Sequence, residues 1–138
     1  MERPKFVGAV LVAFVVAGCS FLPGPTVRIE AGVSPRMTPD QVAAAALERI
    51  HAMERTVGHV AKQAQIVSMT ATTAAGVARL EPSAGHGGAS TPGTLWLVRA
   101  EGTFANNRTP PGGEPLFATT GFFVISDVDG SVLEFGFP

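Results

Sequence analysis

The apolar residues of this chain first recur every three or four positions, as on one face of a helix, and later alternate with polar residues, as in a strand. This change of period limits the folds that the chain can adopt. Thr38 suits the N-cap of a helix, Pro39 its first turn, and Gln41 completes a capping box. An apolar stripe follows, and we expect the helix to end at Gly58, which tolerates a left-handed conformation. The stripe consists of Ala43, Ala46, Leu47, Ile50, Met53 and Val57.

Beyond this helix, alternating side chains and turn residues predict β-strands. The expected strands are residues 65–72, 94–104, 116–126 and 131–137. The last two form a hairpin whose turn needs the positive φ of Gly130. Residues 74–80 extend the first strand or begin another, and residues 81–93 and 106–115 are Gly- and Pro-rich loops. One N-terminal helix packed on an antiparallel sheet of three to four strands is an α+β fold.

The N-terminal residues have the features of an export signal. Basic residues precede an apolar run over residues 6–16, which is too short to span a membrane. The run ends in Val16-Ala17-Gly18-Cys19, which resembles the lipobox of bacterial lipoproteins. That resemblance implies a signal peptide of residues 1–18, cleavage before Cys19, and a diacylglyceryl group on the Cys19 thiol.

An acylated Cys19 would be the membrane anchor of the protein. Two acyl chains hold a protein stably on a bilayer, here at the extracytoplasmic face of the inner or the outer membrane. Cys19 is the only cysteine, so no disulfide can form once its thiol is acylated. Residues 19–36 are rich in proline and glycine and predict a flexible tether, with an edge strand at residues 27–31 as the alternative. Residues 37–138 then form the domain.

The charge of the chain argues against two classes of partner. The net charge is −1 and charged residues are 15% of the chain. Binding to nucleic acid requires clustered positive charge, so we expect no nucleic-acid partner. The same balance argues against a polybasic contact with anionic lipid.

Three stretches together resemble the PepSY type of small extracytoplasmic domain. Residues 38–47 are similar to its opening helix, Leu95-Trp96-Leu97-Val98 to its middle strand, and residues 121–133 to its closing hairpin. Asp129 stands before the turn glycine, where that family commonly has a threonine. The resemblance implies a non-catalytic envelope module of the kind proposed to regulate or inhibit proteases.

The residues that could bind a metal or catalyse a reaction are better explained as surface or turn residues. His51, His59 and His86 lack the spacing of a metal site and are expected at the surface. Asp127 and Asp129 resemble part of a calcium loop, but Gly130 explains them better as a hairpin turn. Without a nucleophile motif, we expect no enzyme activity, no cofactor and no metal.

Aromatic residues are concentrated in the strands and either fill the core or line a lipophilic pocket. A small domain has little apolar surface to spare, which favours the core. These residues are Trp96, Phe104, Phe117, Phe122, Phe123, Phe135 and Phe137. Phe122 and Phe123 are adjacent and point to opposite faces of their strand, so one of them could be exposed.

The outer face of the strand at residues 94–104 is the predicted partner surface. Trp96, Val98, Ala100 and Phe104 share the face expected to meet the helix. The opposite face carries Leu95, Leu97, Arg99 and Glu101, apolar at one end and charged at the other. We therefore expect a lipid-anchored, non-catalytic binding or regulatory module with an envelope protein as partner. The alternatives are a structural envelope component contacting protein or cell-wall polymer and, third, a small enzyme.

Overall fold

The structure is a computed structural model. It describes residues 24–55, 61–85, 92–106, 112 and 116–138. Outside these described residues lie the predicted lipobox with Cys19, Val57 of the predicted helix stripe, the predicted helix stop at Gly58, and His59 and His86.

Five strands and two helices make up the described fold. In chain order they are β1 (Thr26–Ile29), α1 (Pro39–Glu54), β2 (Ala61–Thr72), α2 (Ala74–Leu80), β3 (Leu95–Asn106), β4 (Leu116–Ser126) and β5 (Val132–Gly136). The strands form one sheet in the order β1-β2-β3-β4-β5, with β1 parallel to β2 and the other neighbours antiparallel. The α+β class is confirmed, but the sheet is larger and mixed and there is a second helix. Neither helix of the described residues is long and apolar enough to cross a membrane.

The start of α1 is as predicted. The Thr38 hydroxyl accepts a hydrogen bond from the N–H of Gln41 at 3.3 Å, and the Gln41 side chain accepts from the N–H of Thr38 at 2.9 Å. Ala46, Ile50 and Met53 of the predicted stripe are buried, and Val42 is buried beside them. Leu47 lies one position round the helix from Ala46 and is 37% exposed, so its expected place in the stripe is wrong.

A bulge in β2 changes which side chains face α1. Ile66 pairs with Ala100 and Ser68 pairs with Arg99, which leaves Val67 as an extra residue. Ile66 therefore lies in the same core as Met69 and Ala71, although strict alternation would place it on the opposite face. Ser68, Thr70 and Thr72 keep the other face of the strand.

The predicted core face of β3 and the closing hairpin are confirmed. Trp96, Val98, Ala100 and Phe104 are buried against α1. Gly130 has a φ of +75° in the turn between β4 and β5. Neither Phe122 nor Phe123 is exposed, since each lies in a different core cluster, whereas Phe117 is 62% exposed.

Residues 74–80 form α2, a helix, where a strand was expected. Thr73 is its N-cap and accepts a hydrogen bond from the N–H of Gly76 at 3.2 Å. Val77 packs on the sheet face opposite α1, in a cluster with Leu95, Leu97, Phe122 and Val124. The alternation of residues 65–72 ends at the helix cap, and the alanines that follow favour helix.

The edge strand β1 falls within the predicted tether. All four of its residues are exposed, and its pairing with β2 continues where the N–H of Glu30 donates to the carbonyl of Ala71 at 3.0 Å. Residues 26–30 are therefore part of the folded sheet.

Candidate functional site

The predicted partner surface on β3 is partly covered by α2. Leu95 and Leu97 are 0% and 2% exposed, whereas Arg99 is half-buried and Glu101 exposed. The expectation that the two leucines form an open surface is therefore wrong. The prediction failed because residues 74–80 were expected to form a strand, so no helix was expected to cover Leu95 and Leu97.

Arg99 fixes the end of α2. Its Nη2 donates to the carbonyl oxygen of Leu80 and lies 3.5 Å from Oε2 of Glu81. A cation at this position interacts favourably with the last helical carbonyls, which have no partner within the helix. The side chain of Arg99 is still 43% exposed, so the guanidinium reaches both the helix end and solvent.

Glu30 joins β1 to α2. One carboxylate oxygen accepts from the Thr72 hydroxyl, and the other accepts from Nη2 of Arg79 at 2.6 Å. The hydrogen bonds from Thr72 and then from Arg79 hold the pKa of Glu30 below its usual range, and the positive charge of Arg28 acts in the same direction.

Gly76 lets α2 approach β2 this closely. A Cβ atom at this position would lie 1.7 Å from Oγ1 of Thr72 and 2.8 Å from Oε1 of Glu30. Any larger residue would force the helix away from the strand or displace the Thr72 side chain.

Beside these contacts lies an open groove of about 460 Å³ between β1, β2, β3 and α2. We call it the arginine groove because Arg28, Arg79 and Arg99 enter it from three different elements. The hydroxyls of Ser68 and Thr70 line its floor, since Ser68 pairs with Arg99 and Thr70 with Arg28 on the same sheet face. The groove lies beside α2 on this face of the sheet.

The groove is suited to binding negatively charged groups. A guanidinium carries five N–H donors and no acceptor, and its planar fork matches carboxylates and phosphates. Arg28 makes no hydrogen bond to the described residues, while Arg79 and Arg99 bond to them through Nη2. Glu30 also lines the groove, and its carboxylate pairs with Arg79 and accepts from the buried hydroxyl of Thr72, so the lining residues include one carboxylate and three guanidiniums.

Glu101 lies outside the arginine groove. It borders a smaller depression of about 200 Å³ on the other side of Arg99, together with Thr120 and the C-terminal Pro138. Of the four residues of the predicted surface, the structure therefore brings only Arg99 into the arginine groove.

The Asp127 carboxylate connects separate segments of the fold through hydrogen bonds. Its carboxylate accepts from the backbone N–H groups of Arg36 and Met37 at 2.7 and 2.9 Å, and from the Trp96 indole N–H at 2.9 Å. Burial raises the pKa of Asp127, but these three hydrogen bonds outweigh burial and hold it below its usual range. The carboxylate thereby ties the residues before α1 to β3 and to the final hairpin.

The remaining candidates show no convergence on a ligand. Asp129 accepts a hydrogen bond from the N–H of Ser131 at 2.9 Å, within the turn. His51 is exposed on α1. Among the described residues, no group of three or more His, Cys, Asp or Glu side chains could hold a metal ion.

No pattern in the sequence pointed to Arg28, Arg79, Ser68 or Thr70 as binding residues. The most useful signal was Thr73, an N-cap residue followed by helix-forming alanines, from which α2 could have been predicted. With α2 in place, the basic residue near its end would have pointed to this face of the sheet.

Comparison of the chain with protein-family models, curated proteins and solved structures finds no match. The function is therefore inferred from the arginine groove and from the sequence.

Proposed function

We propose that the protein is a lipid-anchored, non-catalytic binding or regulatory module at the extracytoplasmic face of a bacterial membrane. The anchor is the acylated Cys19 that the lipobox resemblance of Val16-Ala17-Gly18-Cys19 implies. The domain is of the PepSY type, a resemblance carried by residues 38–47, 95–98 and 121–133.

The arginine groove is the observation that carries the binding role. Arginines of β1, α2 and β3 line an open space of about 460 Å³ together with two hydroxyl-bearing residues and one carboxylate, that of Glu30. Guanidiniums remain charged at any physiological pH and act as donors, so they hold an anion without removing protons from it. The arginine groove is therefore better suited to binding an anionic ligand than to catalysing a reaction of that ligand.

Lipidation is tested with radiolabelled fatty acid in cells that produce the protein. The parent and a Ser20→Ala control should carry the label and sediment with membranes, because both keep the thiol that forms the thioether. Cys19→Ala should lose the label and the lipoprotein-type cleavage. Label retained on Cys19→Ala would contradict the anchor.

Binding is tested by thermal unfolding in phosphate and in chloride at equal ionic strength. A ligand that binds the folded state raises the unfolding temperature, so phosphate should stabilise the parent and Arg55→Gln, an exposed arginine of the α1 end. Arg28→Gln should reduce that stabilisation. If phosphate stabilised all three proteins equally, the arginine groove would not be the anion-binding site.

A further inference from the structure

We propose that the arginine groove docks on the phosphates of anionic phospholipids in the same membrane that holds Cys19. This inference rests on the lipid anchor proposed above and names the anionic ligand of the groove. The domain would then lie on the bilayer by its β1 edge, with α1 directed away from it.

Chain length keeps this edge near the headgroups. β1 begins at Thr26, and an extended chain spans at most about 3.6 Å per residue, so Thr26 stays within about 25 Å of Cys19. The groove opens beside β1, with Arg28 on that strand and Arg79 and Arg99 behind it. Among the surfaces of the described domain, the anchor therefore restricts this one to the neighbourhood of the membrane.

The exposed side chains of β1 suit a membrane interface. Val27 and Ile29 are 42% and 52% exposed and alternate with Arg28 along the strand. Apolar groups favour the boundary between headgroups and acyl chains, while an arginine beside them reaches the phosphates. An approach by the strand edge presents both kinds of side chain together.

The charged residues around the groove favour binding of a phosphate, although the whole chain has a net charge of −1. Three arginines and one carboxylate, that of Glu30, line the groove, which leaves an excess of positive charge. Glu30 and Glu81 contact Arg79 and Arg99 through Nη2. A guanidinium has further N–H donors on Nη1 and Nε, which can bind a phosphate oxygen while the ion pair stays in place. Arg28 has no hydrogen bond to the described residues and is the arginine nearest the anchor in sequence.

The test uses the lipidated full chain reconstituted in vesicles of phosphatidylcholine, with or without phosphatidylglycerol. Trp96 is the single tryptophan and serves as energy donor to a dansyl-labelled lipid headgroup. Transfer should be higher in the anionic vesicles and should fall when salt is raised, because salt screens surface charges. Arg28→Gln should shift the equilibrium between docked and undocked orientations by about fivefold, the effect of one arginine near an anionic surface.

Arg55→Gln is the matched control, since Arg55 is exposed at the end of α1, the helix on the opposite face of the sheet. It should keep the full response to phosphatidylglycerol. An equal loss in Arg28→Gln and Arg55→Gln would overturn docking through the groove.

The two proposals fail in different ways. If the protein carries no acyl group and does not float with vesicles, the anchor is wrong and the docking falls with it. If the anchored protein shows equal transfer in both vesicles, the docking alone is overturned. Should inorganic phosphate still stabilise the parent in an Arg28-dependent manner in that case, the groove binds a free anion and not a lipid.

Discussion

The two faces of the sheet are covered by helices of very different length. α1 has 16 residues and is about 24 Å long, while α2 has seven and is about 10 Å long. The long helix closes a core that includes Trp96, Phe104 and Phe123. The short one packs through Val77 on two leucines of β3 and two residues of β4, and leaves the arginine groove beside it. A helix shorter than the sheet that it covers thus leaves polar strand residues available for binding.

The two faces are also held together differently. Beside α1, the rings of Phe104 and Phe137 stack with centroids 4.8 Å apart, and the guanidinium of Arg49 lies 4.8 Å above the ring of Phe135. α2 is held at its end by Arg99 and at its side by the ion pair of Arg79 with Glu30. Exposed ion pairs contribute little free energy, so we expect the α2 face to open before the α1 face.

Leu97→Asp should cause the largest loss, because it places a charge in the small core under α2. We expect the free energy of unfolding to fall by about 4 kcal/mol or more. Urea unfolding followed by Trp96 fluorescence measures it. Val128→Asp is the control, at a turn position that is 78% exposed. Equal effects of the two substitutions would mean that α2 does not seal this face.

Ile50→Ala tests the opposite face. Ile50 is 1% exposed, so losing its side chain removes burial and leaves a cavity under α1, which should cost about 2–5 kcal/mol. Leu47→Ala, on the same helix, should cost under about 1 kcal/mol because Leu47 is partly exposed. The reverse order in urea unfolding would show that Leu47, and not Ile50, faces the sheet.

Asp127→Asn tests the hydrogen bonds that connect the residues before α1 to the turn at Asp127. The folded pKa of Asp127 lies below the unfolded value of about 3.9, so the carboxylate stabilises the fold above that pH. This contribution is lost as the pH falls through the folded pKa. At pH 7 the variant should lose about 2–3 kcal/mol, and the difference from the parent should shrink in acid. Asp40→Asn, an exposed carboxylate in the first turn of α1, should show a smaller loss at pH 7. A pH-independent difference for Asp127→Asn would refute the role of its charge.

Gly76→Ala should have the smallest effect of the four and should act on α2 alone. In an exposed helix this change stabilises by about 1 kcal/mol, but here the new Cβ meets Thr72, so we expect a net loss of about 1–3 kcal/mol. Hydrogen exchange should become faster in residues 74–80 and remain unchanged in α1. Gly24→Ala has open space around it and is the control. A stabilised Gly76→Ala protein would show that α2 docks less closely.

Much of the α1 face was predictable because local signals agree there. The capping box at Thr38, the strand face of Trp96 and the turn at Gly130 depend on neighbours in sequence. The α2 face was not predictable in the same way. The bulge at Val67 is set by pairing with β3, and the joining of Glu30 to Thr72 and Arg79 depends on contacts between distant segments.

Asp127 also has a consequence for the order in which the molecule can fold. Its carboxylate accepts from residues 90 and 91 positions earlier in the chain, so this contact closes a long loop. Closing a long loop costs entropy that only the finished contact repays, which places it late in folding. A nascent or truncated chain that ends before the final hairpin lacks the acceptor for Arg36, Met37 and Trp96. Completion of the last turn is therefore the step that secures the beginning of the domain, and chains released early would remain open to proteolysis.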